Sequence, residues 1–211
     1  IWVGVDKALP RTPAIFERKV AWRMPQQDRP EKAVWADNYV SAAERPELLR
    51  AQFEEDLAEG LMCKMDKQKA ADIYGAKLAV ASQGALLKSI ASDEYRIVHD
   101  GTFKVLVNYA IRPRDQQRMP THNEGRCALH EMCKEGGTHF SLLIDVRKAH
   151  RQIHVREADW GFQACQVADS DRDLYLNRVG TFGISSAGYW WSRFMAAVVR
   201  ALHYMLGPKY M

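Results

Sequence analysis

The chain has 211 residues, 47% of them hydrophobic, and a formal net charge of +4. That length suits one sizeable domain or two small ones, and the mild basic excess is compatible with a polyanionic partner without requiring one. Four cysteines, Cys63, Cys127, Cys133 and Cys165, are too few and too irregularly spaced for a disulfide scaffold.

No charged-then-apolar leader opens the sequence, and no apolar run approaches the roughly 18 residues that a membrane span requires. The expected setting is intracellular, cytoplasmic or nuclear, with no membrane partner. Ile1 stands where a Met would begin a reading frame, as expected of an internal piece of a longer polypeptide.

Residues 1–45 carry Pro10, Pro13, Pro25 and Pro30 among scattered charges and show no sustained period, which predicts an irregular lead-in. Pro46 then sits where a helix start tolerates it. Leu49, Phe53 and Leu57 follow at i, i+4 and i+8, and Gly60 is placed to end that helix. Short β-like runs come next: Gly84 to Ser89, Tyr95 to Asp100 and Phe103 to Asn108. Turn signals at Ser92-Asp93 and Asp100-Gly101-Thr102 separate them and predict an antiparallel set.

Asn123 to Lys134 reads as a helix stopped by Gly136-Gly137. His139 to Asp145 reads as a strand, with Phe140, Leu142 and Ile144 on one face and Ser141, Leu143 and Asp145 on the other. A hairpin is expected from Gly161–Val167 and Leu174–Val179, joined by the polar stretch 169–173. A long helix from about Ser186 to Leu206 closes the pattern. Its stripe is Trp191, Met195, Val198, Leu202 and Met205, Ser185 or Ser186 can cap its start, and Gly207-Pro208 ends it.

Two segments carry the chemistry. In FSLLIDVRKAHRQIHV, Phe140 to Val155, an apolar run ends on a carboxylate, Asp145. Taken alone, such an acid is usually a turn residue or helix cap rather than a metal ligand. In RVGTFGISSAGYWWSRF, Arg178 to Phe194, a glycine corner opens a helix. Glycine suits a place where backbone approaches a ligand closely.

In this order the two segments resemble the first and second palm motifs of reverse transcriptases, RNA-directed DNA polymerases of retroelements. The resemblance covers roughly residues 47–206. It implies an α+β, polymerase-type fingers and palm, an antiparallel sheet packed against helices and truncated before the family's second acidic motif. The implied divisions are a lead-in over 1–45, a fingers-like part over 46–120 and a partial palm over 121–211. Asp145 matches the metal-binding aspartate, and Val146 would offer its carbonyl to the same ion. His150 stands where the family usually carries Tyr or Phe beneath the nucleotide sugar, a departure that bears on deoxyribonucleotide selection. Phe182 and Gly183 match the residues at the base and template edge. Arg96, in register with Asp100 in YRIVHDG, and Lys88 in GALLKS resemble the triphosphate-binding residues of the fingers. DLAEGLM, Asp56 to Met62, looks like the lead-in helix.

The resemblance implies Mg2+ as cofactor, with an RNA or DNA template-primer and deoxynucleoside triphosphates as partners. One carboxylate cannot assemble a two-ion site. The expectation is therefore a fragment, inactive by itself, of a nucleotidyl-transferring enzyme. The alternatives are a non-catalytic nucleic-acid-binding remnant and an RNA-directed RNA polymerase palm.

Two other constellations compete. His122, Cys127, His130, Cys133 and His139 suggest zinc, but their spacing fits no usual finger and suits a packed helix face. Asp169, Asp171 and Asp173 imitate a calcium loop, but Leu174 replaces the turn glycine and Gly180 the closing acid, so a polar turn is expected.

Overall fold

The computed structural model describes residues 1–12, 16–19, 31–89, 93–118, 121–136 and 144–207. In chain order its elements are β1 (Glu17–Arg18), α1 (Val40–Ala43), α2 (Pro46–Ala58), β2 (Met62–Asp66), α3 (Lys67–Tyr74), β3 (Ser82–Ser89), β4 (Glu94–Asp100), α4 (Val107–Ala110), β5 (Asp115–Gln116), α5 (His122–Glu135), β6 (Ala164–Cys165), β7 (Asp173–Asn177) and α6 (Ser185–Leu206). Short 3-10 segments cover Gly75–Lys77, Ala149–Gln152 and Glu157–Gln163. The chain is thus mixed α and β, with antiparallel sheets.

Pro46 opens α2 as expected, and Leu49 and Phe53 bury its inner stripe. Gly60 follows with φ +73°, a conformation that costs glycine little. β2, which the sequence reading did not anticipate, pairs along its whole length with β7, and β6 adds to the other edge of β7. β3 and β4 form the expected hairpin, with Leu86 opposite Arg96 and Gly84 opposite Val98. Between Leu87 and Ser89 the register slips, so Lys88 is the extra residue of a bulge. Residues 78–81 are almost wholly buried and join the layers, Val80 bridging to Trp35 on one side and Ala164 on the other.

Several expectations require correction. Phe103 to Asn108 is not a strand. The chain turns there, with Lys104 and Leu106 at positive φ, and enters the short helix α4. In the first arm of the 161–179 hairpin residues 161–163 end a 3-10 helix, and only Ala164–Cys165 pairs with β7. The strand expected over 139–145 falls largely outside the described residues, and residues 144–146 carry no regular structure. No side chain of α6 caps its start. The apolar stripe of α6 is half-buried through Val198, whereas Leu202 and Met205 are exposed.

The described part of the lead-in contains β1 and α1 and is otherwise irregular, and its first residues join the core. Val3 and Leu9 are buried, and the Trp2 ring meets Trp190 edge-on at 4.8 Å. Trp190 Nε1 donates to the Trp2 carbonyl at 2.9 Å, and Tyr189 donates through its hydroxyl to the Pro10 carbonyl. Arg193 stacks on Tyr189 and Phe16 while pairing with buried Asp115, which also accepts from the Thr12 amide. Buried Asp159 accepts from the Val3 amide at 2.8 Å and from Arg156 at 2.6 Å.

Replacing Asp159 with Ala would leave the Val3 amide without its acceptor inside the core. The expected cost is about 2 kcal/mol, read as a lower urea midpoint at unchanged m-value.

Candidate functional site

The approach to α6 is a corner that only glycine satisfies. Gly183 has φ +103°, and a Cβ there would overlap the carbonyl oxygen of His99 on β4. The corner is stitched from the other side by Asn108 of α4. Its Nδ2 donates to the Gly183 carbonyl at 2.7 Å, and its Oδ1 accepts from the Ser185 amide at 2.8 Å. Asn108 therefore satisfies one of the orphan amides that open α6, the role expected of Ser185 or Ser186. With its neighbour pinned, Phe182 is held outward, 58% exposed.

Against that ring lies His150. The two rings are stacked, with centroids 5.7 Å apart and planes at 22°. The His150 ring is half-buried, and burial lowers its pKa from the ordinary value. Its backbone is equally constrained, since a Cβ on Gly180 would come within 2.7 Å of the His150 carbonyl oxygen.

His150 belongs to a turn fastened to α2 by charge. Arg151 donates to Asp56 at 2.8 Å and to the Asn177 side chain at 2.8 Å. Lys148 donates to Glu59 at 2.7 Å and Glu55 at 3.0 Å and lies 3.6 Å from Asp56. Asp56 is only 5% exposed. Burial raises its pKa above the ordinary carboxylate value, against the opposing pull of Arg151 and Lys148. The same burial lowers that of Arg151. Asn177 continues the network, its Nδ2 donating to the Gln163 carbonyl while the Gln163 amide donates to the Asn177 and Val179 carbonyls.

Beneath the corner His99 is buried, and Gln83 Nε2 approaches its Nδ1 at 3.1 Å. The amide can only donate there, so Nδ1 accepts and the ring proton sits on Nε2, which has no partner among the described residues. Burial pushes the His99 pKa from 6.5 down to about 4, with Arg151 acting in the same direction and Asp100 against it.

The remaining expected site residues are placed as follows. Asp145 is exposed and makes no hydrogen bond or ion pair among the described residues, and Val146 beside it is half-buried. Arg96 projects from β4 into solvent without a partner among the described residues. Lys88, exposed at the bulge, lies out of register with it. Asp100 accepts from the Tyr39 hydroxyl at 2.6 Å and from the amides of Thr102 and Phe103, so it shapes a turn. Burial would raise its pKa, but these bonds outweigh it and hold the carboxyl below its usual range.

Among the described residues no three ligating side chains converge as a metal site would require. Asp145 offers a single carboxylate, which does not fit a two-ion magnesium centre. Of the zinc constellation, His122, Cys127, His130 and Cys133 all point to solvent along α5, not onto a packed face. His139 lies outside the described residues. Asp169 and Asp171 serve the turn, accepting from Gln166 and the Ala168 amide respectively, and Asp173 pairs with Lys64.

Sequence reasoning brought His150, Phe182 and Gly183 forward and missed Asp56, Asn108, Lys148 and Arg151. Asp56 was visible in principle, because it lies three residues beyond Phe53 on the buried stripe of α2. A comparison with protein-family models found no match, and neither did one with curated proteins.

Two outcomes test this geometry. Gly183→Ala should destabilise the fold by about 3 kcal/mol or more, because the new methyl meets backbone at a left-handed φ. His99 stays neutral in the native state while the unfolded chain takes up its proton below pH 6.5. Its contribution is therefore fully present above pH 6.5 and lost as pH falls toward 4, an expected loss of about 3 kcal/mol. Unfolding free energies from pH 7 to 4.5 should show this slope, and His99→Gln should flatten it.

Proposed function

We propose that the chain is the fingers and first half of the palm of a reverse transcriptase, acting in template-directed nucleotidyl transfer within the cytoplasm or nucleus. The observation that carries this reading is the His150–Phe182 stack. It joins two segments distant in sequence, each with the pattern of a palm motif, at one surface beside the β3–β4 hairpin. Asp145 precedes His150 by five residues, so the two Cα atoms lie within about 18 Å.

In this reading Phe182 and the open backbone at Gly183 face the base and template edge, and His150 lies under the sugar. The unpaired guanidinium of Arg96 suits a triphosphate, since its planar fork donates two bonds at once. Lys88 adds a mobile point charge nearby on the same hairpin. Asp145 and the Val146 carbonyl would be two donors toward magnesium, too few to hold it without further carboxylates. The other carboxylates of such a centre have no counterpart in this sequence, and the chain is proposed to be inactive by itself.

A nucleic-acid-binding remnant without catalysis is the second reading, favoured by the solitary exposure of Asp145. An RNA-copying RNA polymerase is the third, favoured by His150 in place of a larger aromatic ring.

Primer extension by a chain that also carries a second acidic motif separates the three. The account expects DNA synthesis on an RNA template, lowered about a thousandfold or more by Asp145→Asn. Arg96→Ala should raise the nucleotide KM by about tenfold to a hundredfold. His150→Phe should sharpen rejection of ribonucleotides by about tenfold. Template-primer binding with no extension would favour the remnant, and a preference for ribonucleotides would favour the RNA polymerase. Extension unaffected by Asp145→Asn would refute the catalytic assignment.

A further inference from the structure

The turn that presents His150 is held in a way that ordinary packing does not require. Lys148 adopts φ +51°, an uncommon choice for a residue with a Cβ. Its ammonium group meets three carboxylates at the C-terminal end of α2, those of Glu55 and Asp56 within the helix and of Glu59 just past it. The following residues form a single 3-10 turn, Ala149–Gln152. Lys148, which precedes that turn, and Arg151 within it both reach the carboxylate of Asp56, while the His150 ring lies against Phe182. The Arg151 fork is filled on both arms, by Asp56 and by Asn177 of β7, so the turn is fixed against helix and sheet at once. Gly180 closes the third side against the His150 carbonyl.

We infer that Asp56 is a positioning residue: through Arg151 it holds the His150 ring flat on Phe182, and in doing so sets how strictly the site reads the sugar of an incoming nucleotide. The sugar-reading part rests on the polymerase reading, whereas the positioning part does not. Asp56 touches no substrate in this account. Its influence passes through the rigid fork of Arg151. Loss of the fork frees the turn to relax from the left-handed conformation at Lys148, and the ring then leaves its stack.

The test uses the 211-residue chain and proton NMR of the His150 ring, whose signals the Phe182 ring current displaces upfield. Phe182→Leu calibrates that displacement. In the double variant Asp56→Leu/Arg151→Met, both buried charges are exchanged for apolar groups of similar volume, a change that cores commonly tolerate. The expected result is a folded chain in which most of the displacement is gone. A displacement equal to that of the unmodified chain overturns the inference. Should the double variant fail to fold, Arg151→Lys is read instead, because it keeps the charge and discards the fork. Loss of displacement supports the clamp, and retention overturns it.

A second arm measures incorporation of ribonucleotides against deoxyribonucleotides in a chain that also carries a second acidic motif. The double variant should incorporate ribonucleotides about tenfold more readily relative to deoxyribonucleotides. An unchanged ratio in an extending enzyme overturns the sugar-reading part. Absence of extension by the unmodified chain refutes the polymerase reading itself, and the ring displacement still decides the clamp.

Discussion

Arg151 and Asp56 meet at 2.8 Å, with Asp56 almost excluded from solvent. Removing both charges from water is costly, and their attraction offsets that cost only when geometry and further hydrogen bonds are good. Here the second arm of the guanidinium finds Asn177, and Lys148 lies close to the remaining oxygen of Asp56. Such an arrangement adds little net stability over an apolar pair. What it supplies is direction, because a planar fork filled on both arms permits one orientation of the turn that carries it. Three parts of the chain distant in sequence, α2, the 148–152 turn and β7, are thereby locked in one relation.

The second constraint is steric. Gly180 and Gly183 let backbone approach backbone, the first against His150 and the second against His99. Asn108 then ties the corner to α4 with two hydrogen bonds. Between a turn fixed by charge and a corner fixed by close approach, His150 and Phe182 face each other with little freedom. Asp145, Arg96 and Lys88 differ in kind, being exposed and uncommitted.

Local pattern made much of the fold legible. Period and capping residues announced α2, α5 and α6, and alternation with turn signals announced the β3–β4 hairpin. The failures have physical causes. Phe103 to Asn108 has strand-forming residues, but positive φ at Lys104 and Leu106 turns the chain so that Val105 and Val107 fall into the core and Asn108 reaches the glycine corner. β2 was overlooked because its lysine and aspartate blur the alternation, yet β7 supplies a complete partner. The start of the chain lacks periodicity because Trp2, Val3 and Thr12 are held by different contacts, the edge of Trp190, the Asp159 carboxylate and the Asp115 carboxylate. At the site, the motif residues could be read from their order, whereas the ion cluster could not. Its members are joined only by folding, and a charged residue on a helix stripe ordinarily reads as a solvated one.

The central claim is that His150 and Phe182 form one surface for a nucleotide at the end of a template-primer. Chemical-shift mapping of the chain, titrated with an RNA template annealed to a recessed DNA primer, with magnesium and a complementary deoxynucleoside triphosphate, tests it most directly. The account predicts that the largest changes cluster at His150, Phe182, Gly183 and Arg96 and depend on the nucleotide matching the template. Changes confined to other surfaces, or indifferent to the identity of the nucleotide, would contradict it.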